Sequence, residues 1–175
     1  MPYTPILGTL GYVLSPEGTH VLMIHRVGRE DDHAFGKYNG LGGKLEPGED
    51  VASCMRREVR EEAGIEVEAM RLRGTISWPG FGKHGEDWFG FVFLITAFSG
   101  TPLERTAEGR LEWVPLQRLL DACSPDPTVR ARAALPMWPG DVYFVPLVFS
   151  DDPRQFHAVM PYRDGQPVGW QVSWV

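Results

Sequence analysis

Cysteine is nearly missing from this chain: Cys54 and Cys123 are the two thiols in 175 residues. Two thiols make no disulfide framework, so both are expected as buried free thiols in a reducing cytoplasm. Long apolar runs are missing too. The longest tract, Phe89 to Phe98, is too short to span a bilayer as a helix, and the opening MPYTPILG lacks the basic stretch that precedes the apolar part of a secretory leader. No membrane partner is expected. Basic excess is absent, since 17 Lys and Arg face 23 Asp and Glu for a net charge of −6; duplex nucleic acid needs clustered cations to displace its counterions and is therefore not expected as a partner. With no repeat, linker or low-complexity tract, residues 1–175 are expected to form a single domain.

What is abundant is turn-forming residues, 20 Gly and 15 Pro, between short periodic segments. Leu7–Ser15 and His20–Arg26 read as two strands around a Ser-Pro-Glu-Gly turn. Val67 to Trp78 gives one or two strands, and the near-continuous apolar run within Glu86–Phe98 predicts a central strand covered on both faces. Leu111–Val114 is a further strand, Pro115 opens a helix through Leu120, and Asp126-Pro127 starts another toward Leu135. Val142–Phe149 reads as a strand. Phe156–Tyr162 is expected to pair with Val168–Trp174 across Asp164-Gly165, a hairpin signal.

The organising stretch is Gly43 to Ile65, GKLEPGEDVASCMRREVREEAGI. Pro47-Gly48 marks a turn, Asp50 is an N-cap, and Gly64 suits the left-handed position past a helix end. Val51, Ala52, Met55, Val59 and Ala63 recur with the period of one helical face, which must be the buried one. Glu58, Glu61 and Glu62 fan out along its edge. Like charges at those spacings cost a helix roughly 0.2–0.5 kcal/mol per pair, so the pattern is poor scaffolding. Hard oxygen ligands without Cys or His favour Mg²⁺, with Mn²⁺ as the alternative.

The whole segment fits G-x5-E-x7-R-E-U-x-E-E-x-G-U, where U is a bulky aliphatic residue, at Gly43, Glu49, Arg57, Glu58, Val59, Glu61, Glu62, Gly64 and Ile65. It resembles the signature of the Nudix (MutT-like) hydrolases. The resemblance implies a Nudix α/β/α sandwich with a mixed β-sheet, and hydrolysis of a phosphoric anhydride in a nucleotide. It also implies that Glu58, Glu61 and Glu62 bind metal with help from the Gly43 carbonyl, while Arg57 and Glu49 orient the loop on the helix. A glutamate of the loop before Leu111, here Glu108, would complete the metal site; Glu112 is the weaker substitute. Glu61, Glu62 and Glu108 all remain open as general base.

Outside this segment the chain resembles the oxidised-purine nucleoside triphosphatases of the family, also known as 8-oxo-dGTP diphosphatases. Lys37–Lys44, KYNGLGGK, is similar to their (W/Y)NG(F/L)GGK approach, which implies that Asn39 contacts the purine and that Lys44 lies on the substrate. Met137–Phe144 is similar to their MWPDD segment, implying that Trp138 stacks on the base and Asp141 reads its edge, but Gly140 stands where the first of two aspartates is expected. The C-terminal FHAVMPY segment is similar to their terminal hairpin. The preferred reading is Mg²⁺-dependent release of nucleoside monophosphate and pyrophosphate from a modified purine triphosphate such as 8-oxo-dGTP, a cytoplasmic sanitation activity. Pyrophosphatase action on ADP-ribose or a similar conjugate is the alternative, favoured by Pro79; a nucleotide sensor without turnover is a third reading, disfavoured because all three helix carboxylates are present. The partner is a small nucleotide, and monomer and homodimer both stay open.

Overall fold

The computed structural model describes residues 2–175, which leaves Met1 outside the described residues. In chain order the elements are β1 (Ile6–Leu14), β2 (His20–His25), β3 (Tyr38–Asn39), α1 (Val51–Ala63), β4 (Glu66–Trp78), β5 (Trp88–Ser99), β6 (Arg110–Pro115), α2 (Leu116–Ala122), α3 (Pro127–Ala133), α4 (Asp141–Val148), β7 (Phe156–Val159), β8 (Tyr162–Arg163), β9 (Gln166–Pro167) and β10 (Gln171–Trp174).

The main sheet runs β10-β7-β4-β5-β1-β2-β3, with β6 also paired to β2. Strand β5 lies antiparallel to β4 and parallel to β1, so both its edges are paired and both its faces are covered. Its successive side chains leave on opposite sides. Phe93 and Ile95 join Met55, Val59 and Ala63 of α1, together with Val13, Leu22 and Ile24, in one core. Val92 and Leu94 join Leu119, Ala133, Phe144 and Val148 from α2, α3 and α4 in the other. The result is the α/β/α sandwich that the resemblance implies.

Helix α1 begins where Asp50 accepts from the Ala52 and Ser53 N–H groups, at 2.8 and 3.0 Å, and ends where Gly64 turns left-handed at φ 70°. It lies close over β1 because position 11 carries no side chain: a Cβ there would meet Met55 Sδ at 2.7 Å. The segment before the helix is stitched to the same strand. Leu41 and Gly11 exchange backbone hydrogen bonds of 2.6 and 2.9 Å, and the Thr9 N–H donates to the Gly43 carbonyl at 2.8 Å. Gly42 sits at φ 147° with the Thr9 carbonyl packed where a Cβ would go, a conformation and an approach that only glycine allows.

The expected strand at Val142–Phe149 is instead the helix α4. A near-continuous apolar run has no strong period of its own, and the turn ahead of it decides the matter: the Asp141 N–H reaches the Trp138 carbonyl at 3.0 Å and the Tyr143 N–H the Gly140 carbonyl at 3.1 Å. Phe144, Val145 and Val148 then face the core at helical spacing. The other end is held by Arg73, a buried residue of β4. Its guanidinium donates to the carbonyls of Val148 at 2.9 Å, Leu147 at 3.2 Å, Ser150 at 3.1 Å and Asp152 at 2.9 Å. A cation among the free carbonyls of a helix end satisfies groups that burial would otherwise leave unpaired.

The C-terminal hairpin forms with the expected partners, Phe156 opposite Trp174 and Val159 opposite Gln171. Between them Asp164 and Gly165, at φ 52° and 73°, close a separate small ladder of β8 with β9. That ladder carries Tyr162 back toward the end of β4, where its N–H donates to the Pro79 carbonyl at 2.7 Å.

Candidate active site

Arg57 is the hub of the acidic rim on α1. Its guanidinium donates to both Glu49 oxygens at 2.9 and 3.0 Å, to Glu58 at 2.8 Å, to Glu61 at 3.2 Å and to the Lys44 carbonyl at 3.1 Å. The fork geometry suits Arg and no other side chain. Hydrogen bonds from Arg57 hold the Glu49 carboxyl down to about 2, so Glu49 is a permanent anion that fixes the guanidinium in return. The loop is thereby tied to the helix.

The neighbouring glutamates part company. Glu58 lies against Gly43, where its carboxyl fills the space a Cβ would take, and burial raises its pKa, with the charges of Glu61 and Glu108 adding to the effect. Glu62 turns into the interior and accepts from the Gly42 N–H at 2.8 Å; burial pushes its carboxyl up to about 8, again with Glu108 and Glu58 contributing. Glu61 is mostly exposed. Glu108, in the loop before β6, is paired with Arg26, which also holds Asp32 at 2.5 Å. Glu112 lies in another direction, accepting from Tyr38 at 2.9 Å and contacting His25 at 3.3 Å.

Among the described residues no three Asp, Glu, His or Cys side chains stand close enough to hold a metal ion in common. The expected convergence of three helix carboxylates is therefore loosened, for a physical reason: like charges spread until each finds a positive or N–H partner, here Arg57 for Glu58 and Glu61 and the Gly42 amide for Glu62, while Arg26 takes up Glu108 of the loop. The donor set itself still fits a hard divalent cation, being carboxylate oxygen with one carbonyl nearby. Burial is the main reason that Glu58 and Glu62 are raised, and each also feels Glu108, a repulsion that a cation would relieve. The Gly43 carbonyl accepts from Thr9 and keeps a second lone pair.

Beside this rim lies a cavity of about 230 Å³, lined by Gly42, Gly43, Arg26 and Glu62 and also by Asn39, Trp138, Asp141 and a set of aromatic rings. Trp78, Phe81, Trp88, Phe144 and Tyr162 line it. Phe81 meets Trp138 edge-on with centroids 5.3 Å apart, and Tyr162 likewise at 5.0 Å. Asn39 comes from β3 and accepts from the Trp138 indole N–H at 3.0 Å. An indole N–H only donates, so the amide oxygen is the atom committed and the NH₂ group is left to donate elsewhere. Asp141, first residue of α4, accepts from the Trp138 N–H at 3.0 Å, and burial raises its pKa to about 7. Lys44 lies beyond the lining, its ammonium 5.4 Å from the Trp88 ring centre. Lys37, from the same approach segment, lies over Trp138 at 4.7 Å.

The sequence pattern does not single out Arg26, Trp88 or Tyr162. One signal was available for the tryptophans. Gly8 and Gly90 sit on adjacent strands, and a Cβ at either would run into Trp88 or Trp78; a glycine in a strand marks a place where something else comes close.

A model of the NUDIX domain matches residues 5–135. The chain is 30% identical over 161 residues to the oxidized purine nucleoside triphosphate hydrolase of Mus musculus, covering 92% of this chain and 89% of that protein. It is 36% identical over 67 residues to the NAD-capped RNA hydrolase NudC of Pseudomonas syringae, covering 38% of this chain and 23% of that protein. The fold is similar to the crystal structure of a MutT protein from Bacillus halodurans, with a TM-score of 0.75, 26% identity, and 96% and 97% of the two chains covered. The capped loop and acidic helix, the sandwich that carries them and these likenesses lead to one conclusion: the chain belongs to the Nudix family and is a hydrolase of pyrophosphate bonds.

Proposed function

We propose that this protein, as one Nudix domain over residues 1–175, hydrolyses nucleoside triphosphates bearing a modified purine, 8-oxo-dGTP being the representative substrate, to monophosphate and pyrophosphate. The observation that carries the reading is that a single cavity is lined both by aromatic side chains with Asn39 and Asp141 and by Glu62, Gly42 and Arg26. Its volume of about 230 Å³ is below the roughly 300–1,000 Å³ of pockets that enclose a whole drug-sized ligand. It suits one flat ring system and leaves the phosphates at the acidic rim. The likeness to the mouse oxidized purine nucleoside triphosphate hydrolase over most of both chains supports the same choice.

Glu58, Glu62 and Glu108, with the Gly43 carbonyl, would hold Mg²⁺, and Glu61 lies within reach of the same rim. When bound, a divalent cation neutralises phosphate charge and makes a water a better nucleophile. Arg57 keeps Glu58 and Glu61 in place, Arg26 keeps Glu108 at the cavity edge, and the aromatic walls exclude water from the base. The proton of the attacking water passes to Glu61, Glu62 or Glu108, of which Glu62 borders the cavity. Asn39 donates to the base from its NH₂ group, Asp141 faces the base edge, Trp138 supplies ring contact, and Lys44 meets the substrate from the rim. The buried thiols Cys54 and Cys123 suit a reducing cytoplasm, where free nucleotides are oxidised. None of the helices among the described residues is long and apolar enough to cross a membrane.

A nucleotide panel with Mg²⁺ and product identification tests the reading. Pyrophosphate and 8-oxo-dGMP from 8-oxo-dGTP are the expected products; preferential release of AMP and ribose phosphate from ADP-ribose, or no turnover of any nucleotide, would overturn it.

A further inference from the structure

Gly140 stands where an acidic base-reading side chain is expected, and the structure gives that vacancy an occupant. A Cβ at position 140 would overlap the phenol oxygen of Tyr162 and come within 2.6 Å of Met160 Cε. The backbone there is right-handed, at φ −79° and ψ −15°, so its conformation is open to any residue and the lack of a side chain is a matter of space. An acid at 140 and the phenol of Tyr162 in its present place exclude each other.

Tyr162 is buried, lines the cavity beside Asp141, and comes from the small ladder that follows β7. Its ring is fixed edge-on against Phe81 and its N–H is fixed to the Pro79 carbonyl. The phenol oxygen lies close against the Gly140 backbone. The residue lines the cavity, which leaves its hydroxyl open to a bound ligand. Burial and the charge of Asp141 both push its pKa up, so the group is a neutral phenol at working pH and always has that proton to give.

We propose that Tyr162 is a specificity-determining residue whose hydroxyl donates to a ring carbonyl oxygen of the bound purine, from the space that a side chain at position 140 would otherwise fill. The inference deepens the proposed function and rests on it for the location of the base. It also names a substrate class. A phenol donor next to the Asp141 carboxylate and the Asn39 NH₂ group matches a purine edge on which a carbonyl acceptor adjoins a ring N–H, as in guanine and its oxidised forms. The adenine edge, an amino donor beside a bare ring nitrogen, leaves Tyr162 without its acceptor.

The experiment is equilibrium binding of 8-oxo-dGMP, dGMP and AMP without metal, followed by fluorescence of the cavity tryptophans, in wild type, Tyr162→Phe, Gly140→Ala and the double variant. Phenylalanine keeps the ring packing on Phe81, so the variant is expected to fold. Its Kd for the two guanine nucleotides should rise about tenfold or more, the cost of one buried hydrogen bond, while that for AMP changes less than threefold. Gly140→Ala should weaken the guanine nucleotides in the same way by displacing the phenol, with little further loss in the double variant. Equal effects on all three nucleotides, no effect, full additivity of the two changes, or a wild type that binds none of them would overturn the assignment. The functional reading fails separately: a wild type that binds guanine monophosphates through Tyr162 yet releases no pyrophosphate from triphosphates would refute that reading and leave this one standing.

Discussion

The indole N–H of Trp138 donates to the side-chain oxygen of Asn39 across 3.0 Å. This contact joins β3, at one edge of the sheet, to the turn that starts α4, and it decides which way the Asn39 amide faces. Asn39→Asp keeps the acceptor and removes the NH₂ donors, so kcat/KM on the preferred purine triphosphate should fall by about tenfold to a hundredfold with the melting temperature little changed. Trp138→Ala should instead raise KM across purine substrates. Steady-state kinetics on a purine panel check both, and unchanged values for both variants would remove this pair from the base site.

Arg57 is predicted to be indispensable as arginine. Only its fork reaches Glu49, Glu58 and Glu61 together, so Arg57→Lys should lower kcat by at least ~10-fold and Arg57→Ala by ~10²-fold. Both proteins should still fold, because the network lies at the edge of the core. Equal kcat for lysine and arginine at this position would show that the geometry of the fork is immaterial.

Removing Arg73 should be costly to stability. It is buried and serves the carbonyls of Leu147, Val148, Ser150 and Asp152 at the end of α4. Arg73→Met fits the space and leaves those acceptors unpaired, at about 1–3 kcal/mol for a buried group left unsatisfied. Urea unfolding should report a loss of that order or more, and purine binding should weaken with it, since Trp138 and Asp141 ride on the other end of the same helix. A loss under about 0.5 kcal/mol, the range of ordinary surface changes, would contradict this role.

Asp141 should leave a pH signature on stability. Burial raises its folded pKa to about 7 from an ordinary 3.8. Between those values the folded protein keeps a proton that the unfolded chain has lost, so the contribution of Asp141 to stability declines as pH rises from about 4 to about 7 and is level on either side. Asp141→Asn removes that decline. The difference between wild-type and variant unfolding free energies across this range is the measurement, and parallel curves would place the Asp141 carboxyl at an ordinary pKa.

Most of the architecture was legible because it rests on local signals: Asp50 and Gly64 bound α1, the apolar period of Met55, Val59 and Ala63 sets its buried face, and the run in β5 demanded cover on both sides. The run after Trp138 misled because Val, Tyr, Phe and Leu in succession suit a strand as well as a buried helix, and the Trp138–Asp141 turn that settles it is a local signal that the apolar run masked. The acidic rim was legible as chemistry but not as geometry. Helical spacing places Glu58 and Glu62 on one edge, yet it says nothing of Gly42 or Arg26, which come from distant elements and take up Glu62 and Glu108. The aromatic wall was the least legible part. Trp88 is brought to the cavity by strand order, which has no pattern in the local sequence, and Asp164-Gly165 signals the β8–β9 ladder without showing that it carries Tyr162 to the same place.

The most direct test of the catalytic centre is a Mg²⁺ titration of pyrophosphate release from 8-oxo-dGTP by wild type, Glu58→Gln and Glu62→Gln. Glutamine is nearly isosteric and removes the charge, so each variant should fold, require more Mg²⁺ and turn over at least ~10²-fold more slowly. Full wild-type turnover with an unshifted Mg²⁺ requirement in both variants would place the chemistry away from the α1 rim and contradict the assignment.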